Sequence, residues 1–229
     1  MKDISLIAFD ADDTLWECQT YFEAVEKEYC ELLKSYASAD EISKALFAVE
    51  TANMPLLGYG SKAFLLSLLE NAIEVSGGRL KADEVEKIIK LGKELLQLSG
   101  KPMDGVEETL KVLRETEEYH LVVFTKGELL DQENKFHRSG LKPYFDDIIV
   151  VSDKTEASYY QLCERFSINV EQLLMVGNSF RSDIEPVLKL GGWAAHIPFH
   201  TTWQHEVVEE YEHPHLLKLE YFTQLKQVL

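Results

Sequence analysis

Three carboxylates fall within four residues, Asp10, Asp12 and Asp13, directly after the apolar, β-prone run Ile4-Ser5-Leu6-Ile7-Ala8-Phe9. A short apolar run of this kind predicts a buried strand. Acids so close together repel, and burial raises their pKa values, so they persist where a strand ends in a cleft and a cation joins them. Open α/β sheets place their ligands at that edge. Taken alone, the stretch reads equally well as an acidic turn after a strand.

The residues beyond the other apolar runs decide between the two. Thr125, Lys126 and Gly127 close the run that begins at Leu121; Asp153 and Lys154 follow Ile148-Ile149-Val150-Val151; Gly177, Asn178, Ser179 and then Asp183 follow Leu173-Leu174-Met175-Val176. A threonine at a strand end is usually a cap and a lone lysine usually a solvated residue. Parallel strands, however, bring all of these carboxyl ends to one rim. Carboxylates, a hydroxyl, a lysine and a glycine turn are therefore expected to converge there, a joint placement on four successive strands that is hard to attribute to chance.

The elements that must position them alternate. From Lys101 onward, helical segments around Val106, Leu110 and Leu113, around Leu129 to His137, and from Thr155 to Phe166 separate the apolar runs. A further helix follows Asp183 as far as Gly191, and Trp193 to Ile197 adds a strand. Alternation of this kind predicts right-handed crossovers and a parallel sheet with helices on both faces. In the tail, Leu216 to Leu219 suggests a short strand and Tyr221 to Leu229 a helix.

Between the first strand and this region the periodicity is helical throughout. Phe22, Val25, Tyr29, Leu32, Leu33 and Tyr36 share one face. Ser38 or Asp40 caps a second helix ending near Pro55, and the glycine-punctuated stretch Leu56 to Lys62 reads as a loop. A third helix stops at Gly77-Gly78, and a fourth, with Asp83 and Glu84 in its first turn, ends near Gly100. The expected organisation is therefore an α/β, Rossmann-like core of residues 1–15 and 101–229, with a small helical bundle, residues 16–100, inserted between its two parts.

Composition narrows the partners. A formal charge of -17 over 229 residues argues against nucleic acid, whose phosphates attract basic surfaces. An anionic small substrate then needs local cations. The three cysteines, Cys18, Cys30 and Cys163, form no C-x-x-C motif and read as free thiols of a reducing compartment. No apolar run approaches a membrane span and no leader peptide is recognisable, so a cytoplasmic location is expected. Oligomeric state is not legible. His200, His205, His213 and His215 cluster near Trp203, but without cysteine or H-E-x-x-H spacing they read as loop histidines rather than a zinc site.

The order of these motifs resembles the haloacid dehalogenase superfamily of hydrolases. Its four signatures correspond to Asp10-Ala11-Asp12-Asp13-Thr14, Thr125, Lys154, and Gly177-Asn178-Ser179-Phe180-Arg181-Ser182-Asp183. The resemblance implies that Asp10 attacks phosphorus to form an aspartyl phosphate. Asp12 then serves as general acid and base, Thr125 hydrogen-bonds a phosphoryl oxygen, and Lys154 neutralises charge. It implies Mg²⁺ held by the Asp10 carboxylate, the Asp12 carbonyl oxygen and an acid of the last motif. Asn178 stands where the family often has an acid, leaving Asp183 as the charged candidate, while Asn178 can supply a carbonyl oxygen or hold a metal-bound water. The resemblance also implies that the inserted helical bundle, residues 16–100, is that family's α-helical cap.

Thr125, Lys126, Gly127 and Lys154 are the expected phosphate contacts, and Lys62 and Tyr59, between helices of the inserted bundle, the expected substrate contacts. Asp12 argues against the dehalogenase branch, whose halide leaving group needs no proton. The implied function is hydrolysis of a small phosphorylated metabolite. The alternatives are a phosphomutase of the same family or a member that binds a phosphorylated ligand without turning it over. A phosphate-receiving signalling domain also combines these residue types, but on an internal strand and without a helical insertion.

Overall fold

The computed structural model describes residues 3–229. The chain forms two compact units: Met1–Gln19 together with Gly100–Leu229, and Thr20–Ser99.

The first unit is built on a six-stranded sheet. Its strands are β1 (Leu6–Phe9), β2 (His120–Lys126), β3 (Asp147–Val151), β4 (Leu173–Gly177), β5 (Trp193–His196) and β6 (Leu216–Lys218). The spatial order is β3-β2-β1-β4-β5-β6, and every neighbouring pair is parallel. The fold is thus α/β and Rossmann-like, as the alternation predicts. Four consecutive residues of β1 are wholly buried because the strand is covered on both faces.

Successive side chains of a strand point to opposite faces, and the two cores follow that rule. Ile7, Phe9, Val123 and Val176 pack with Val106, Leu110, Phe136 and Leu225 on one side; Leu6, Ala8, Phe124 and Met175 pack with Tyr159, Leu162, Val187 and Leu188 on the other. Five helices supply those layers. They are numbered here in chain order after four in the other unit: α5 (Val106–Thr116), α6 (Leu129–Ser139), α7 (Glu156–Phe166), α8 (Glu185–Lys189) and α9 (Leu225–Val228).

The second unit holds α1 (Gln19–Leu33, whose first residue belongs to the sheet unit), α2 (Ala39–Leu57), α3 (Ser61–Val75) and α4 (Ala82–Leu95). Val25, Tyr29, Leu33, Ile42, Leu46, Leu68, Ile88 and Leu95 form its own core. Ser38 rather than Asp40 is the N-cap of α2, in a reciprocal capping box with Glu41 worth ~1 kcal/mol.

Three boundaries depart from the sequence reading. First, α2 runs on to Leu57 because Pro55 falls in its last turn, where only one ladder bond is lost. Second, α3 begins at Ser61, so Lys62 is helical, not in a loop; Gly60, at φ 114°, is its N-cap without a side-chain bond, leaving no cap signal in the sequence. Third, Asp183 precedes no ordinary helix start but sits inside a π-helical turn, Phe180–Ile184, that leads into α8.

The two chain crossings between the units are zipped together on the sheet side. The Met103 N–H donates to the Leu15 carbonyl at 2.9 Å, and Trp16 forms an antiparallel bridge with Pro102. Among the described residues no helix is long and apolar enough to cross a membrane.

Candidate active site

Register aligns the strand ends. Phe9 lies opposite Val123 and Val176, and the Asp10 N–H donates to the Val176 carbonyl at 2.9 Å, so Asp10 emerges between the ends of β2 and β4. Beyond it the chain turns sharply. Leu15 N–H reaches back to the Ala11 carbonyl (2.8 Å), and Asp13 adopts φ 63°, where its carboxylate accepts the N–H groups of Cys18 (2.8 Å) and Gln19 (3.0 Å) at the start of α1.

The Asp10 carboxylate is buried and ion-paired with Lys154, whose side chain is itself buried. Lys154 also reaches Asp183 Oδ1 at 2.6 Å. The other Asp183 oxygen accepts the Ser179 N–H at 2.9 Å, and Tyr159 Oη donates to the carbonyls of Ser182 (3.0 Å) and Asp183 (3.2 Å), which fixes the π-helical turn. Gly177 makes this turn possible: a Cβ there would stand 2.2 Å from Asp183 Oδ2. One ammonium thus serves two buried carboxylates. Burial pushes the Asp10 carboxyl up to about 7; Lys154 opposes the rise, and the Asp183 charge adds to it. Lys154 is raised in turn, its two acids outweighing burial.

Asn178 lies on the other flank of Asp10. One edge of its side-chain amide is 3.1 Å from Thr14 Oγ1 and 3.3 Å from both Asp10 Oδ2 and the Asp12 carbonyl oxygen. With the NH₂ turned to that edge its two N–H groups have these three oxygens within reach. With Oδ1 turned there, it accepts the Thr14 hydroxyl and faces Asp10 Oδ2 and the Asp12 carbonyl oxygen, oxygen donors of the kind that a hard divalent cation such as Mg²⁺ prefers. Asp183, by contrast, has both oxygens occupied by Lys154 and the Ser179 N–H. With Asp10 ionised, the Asp10–Lys154–Asp183 cluster carries one uncompensated negative charge, so the residues present fit such a cation. Among the described residues, no three His, Cys, Asp or Glu side chains gather as a metal cluster.

The Asp12 carboxylate is engaged separately. Lys135 Nζ lies 2.7 Å from each of its oxygens, Trp16 Nε1 donates to Oδ1 at 2.7 Å, and Gln132 Nε2 donates to Oδ2 at 2.8 Å. Burial alone would push the Asp12 carboxyl up, but Lys135, Gln132 and Trp16 together hold it below the usual carboxylate range. Gln132 also donates to the Lys126 carbonyl at 3.0 Å, tying this network to the end of β2. Gly127, at φ 140°, gives the room, since a Cβ there would meet Gln132 Nε2 at 3.0 Å.

Thr125 is buried at the end of β2, opposite Val150 of β3. The Lys126 side chain turns to another acid. It is ion-paired with Glu206, lies 2.9 Å from Ser182 Oγ, and sits over the Trp203 ring. Burial would raise the Glu206 carboxyl, but Lys126 with the hydroxyls of Ser179 and Ser182 lowers it.

The sheet therefore brings Asp10, Asp12, Thr125, Lys126, Gly127, Lys154, Asn178 and Asp183 to the C-terminal ends of β1 to β4. Tyr59 and Lys62 belong to the helical unit, before and in the first turn of α3. Sequence reasoning missed Lys135, Gln132, Trp16 and Glu206. Of the candidate histidines, His215 stacks on Trp193 with ring centroids 4.3 Å apart, and His205 packs against Trp203.

These features define a hydrolase of the haloacid dehalogenase-like class, whose family model matches residues 4–191; the chain belongs to that family. Its fold is similar to that of a haloacid dehalogenase-like family hydrolase from Xanthomonas campestris, at 33% identity over 99% of this chain and 90% of that one, with a TM-score of 0.89. YfnB of Bacillus subtilis, described as a HAD-hydrolase bound to magnesium, is 17% identical over 98% of both chains at a TM-score of 0.64. A 2-haloacid dehalogenase from Pseudomonas syringae pv. Tomato DC3000 shares 18% identity over 98% of this chain and 97% of that one, also at 0.64. None of the curated proteins matches the chain significantly.

Proposed function

We propose that the protein is a Mg²⁺-dependent phosphatase that hydrolyses a small phosphomonoester through a phosphorylated Asp10. The observation that carries the reading is the pairing of two differently held carboxylates two residues apart. Asp10 is buried against Lys154, and Asp12 is presented separately by Lys135.

Phosphoryl transfer has a loose transition state, so catalysis is mostly positioning and charge stabilisation. Asp10 attacks phosphorus, the ester P–O bond breaks, and the leaving oxygen takes a proton from Asp12. In the second half Asp12 takes a proton from water as that water attacks the phosphoryl group on Asp10, which regenerates the carboxylate. Splitting hydrolysis in this way replaces one hard displacement by two easier ones. The ionised Asp12 of the free protein is the form the second half requires. A phosphate dianion arriving beside it raises its proton affinity for the first. A halide leaving group needs no such proton, which favours phosphate esters over haloacids.

Thr125 donates its hydroxyl to a phosphoryl oxygen, with the Gly127 turn beside it, and Lys154 balances charge on the transferring group. Mg²⁺ held by Asp10, the Asp12 carbonyl oxygen and Asn178 Oδ1 would supply the remaining positive charge. Asp183 acts through Lys154, and Lys126 anchors the segment carrying Glu206 beside the phosphate site. Residues 20–99 are a cap that limits the substrate to small molecules, with Lys62 and Tyr59 as its substrate contacts; Lys62→Ala should raise KM.

The deciding experiment is hydrolysis of p-nitrophenyl phosphate with and without Mg²⁺, followed by a panel of phosphomonoesters. Activity should require Mg²⁺ and disappear in Asp10→Asn. Activity that survives that substitution would sink the reading.

A further inference from the structure

Lys135 is a buried lysine, 3% exposed, that no motif of the site accounts for. It lies in the middle of α6, on a stretch whose sequence reads as an ordinary polar helix. Holding an ammonium out of water is costly, and replacing a buried ion pair by apolar side chains of similar volume is often neutral or stabilising. A stabilising role alone therefore gives little reason for it.

Its geometry gives a better one. The ammonium is equidistant, 2.7 Å, from both oxygens of Asp12, while Trp16 and Gln132 each take one further position, one on each oxygen. An ionised carboxylate offers about four lone-pair sites, and these four bonds fill them. For Asp12 to exchange a proton with a leaving group or a water, one bond must give way. The neutral donors, Trp16 and Gln132, are cheaper to displace than the ammonium, because all the bonds to the ionised carboxylate are charge-assisted but only Lys135 adds the attraction of a full opposite charge. Lys135 spans both oxygens, so it holds the carboxylate in its plane whichever neutral bond is released.

We propose that Lys135 is a positioning residue for the proton-transfer steps, fixing Asp12 while Gln132 and Trp16 yield in turn. This rests on the phosphatase reading above. General acid–base help is worth ~10²–10⁴-fold, and it matters least where the leaving group departs without a proton. Loss of Lys135 should therefore spare phosphorylation of Asp10 by an aryl phosphate and impair removal of that phosphate by water.

The test is pre-steady-state hydrolysis of p-nitrophenyl phosphate with saturating Mg²⁺ in the wild type, Lys135→Met, Lys135→Arg, Lys135→Gln and Gln132→Met. Lys135→Met should give a stoichiometric burst of nitrophenolate, then turnover ~100-fold below wild type, with phosphorylated protein accumulating by intact mass. Lys135→Arg should restore turnover to within ~10-fold of the wild type. Gln132→Met removes a bond that proton transfer must break anyway, so its turnover should stay close to that of the wild type. Should Lys135→Met not fold, Lys135→Gln carries the test and should show the same burst with a smaller slowing. A parallel fall of burst and turnover, or a change in KM alone, overturns the proposal while leaving the phosphatase reading intact. A wild type without Mg²⁺-dependent activity on any phosphomonoester overturns both.

Discussion

The two units of the chain treat buried charge differently. In the sheet unit, Lys154, Lys135 and Lys126 face Asp10, Asp183, Asp12 and Glu206, each pairing made between residues far apart in sequence. With all four carboxylates ionised, the three ammonium groups leave one negative charge uncompensated, in the cluster where Lys154 is shared by Asp10 and Asp183. The helical unit buries mostly neutral polar groups, and its buried acid Glu84 meets the Tyr36 hydroxyl and the Lys81 N–H rather than an ammonium. Tyr29 Oη lies 2.6 Å from Asn71 Oδ1 and 2.9 Å from the Leu68 carbonyl. Its one strongly shifted acid, Glu50, is pushed up to about 7 by burial and by the neighbouring Glu26. The sheet unit thus keeps charges that pure stability does not ask for, which is what a site for charged chemistry requires. The helical unit is built as a packing module.

Breaking the pairings should hurt in proportion to how directly each touches phosphorus. Lys154→Met leaves Asp10 and Asp183 facing each other without a cation, and kcat on p-nitrophenyl phosphate should fall about 10³-fold. Lys126→Met strands Glu206 and should lower the free energy of unfolding by about 3 kcal/mol. The double variant with Glu206→Gln should recover most of that loss in urea denaturation. Asn178→Asp should tighten Mg²⁺ binding by about tenfold, or 1.4 kcal/mol, in titration calorimetry. An unchanged affinity would place the residual charge elsewhere.

The smallest effect belongs to the helical unit. Glu50 has its folded pKa above its ordinary 4.5, so the folded state holds a proton that the unfolded state has already lost between pH 4.5 and about 7. Stability therefore drains away as pH rises through that window and stays low above it. Glu50→Gln should stabilise the protein by about 1 kcal/mol at pH 8, discounted for the partial exposure of the side chain, and by almost nothing at pH 4.5. Equal stabilisation at both pH values would mean that the charge is not the cause.

The rim of the sheet was legible because parallel strands convert sequence position into spatial position. Knowing that strands end at Phe9, at or just after Thr125, at Val151 and at Gly177 is enough to bring Asp10, Lys154 and Asp183 together. Lys135 was not legible for the converse reason. A helix displays its residues around a full turn, and nothing in the sequence of α6 says which polar side chain faces inward. Glu206 belongs to a long irregular connection, residues 197–215, where no periodicity constrains direction. The start of α3 was misplaced because glycine supplied the cap that serine, threonine, aspartate or asparagine usually provides. The departure at Asn178 was visible at once, but its consequence needed coordinates, because an amide can present either a donor or an acceptor to the same two oxygens.

The bridge between Trp16 and Pro102 has a further consequence. Because outgoing and returning chain lie side by side at that seam, the span Thr20–Ser99 adds almost nothing to the entropy of closing the sheet unit, and modules of quite different length could be stitched in there. The same Trp16 gives its indole N–H to Asp12. The stitch and the carboxylate proposed for proton transfer share one side chain, so grafting a foreign module at this point tests the chemistry even when no residue of the rim is altered.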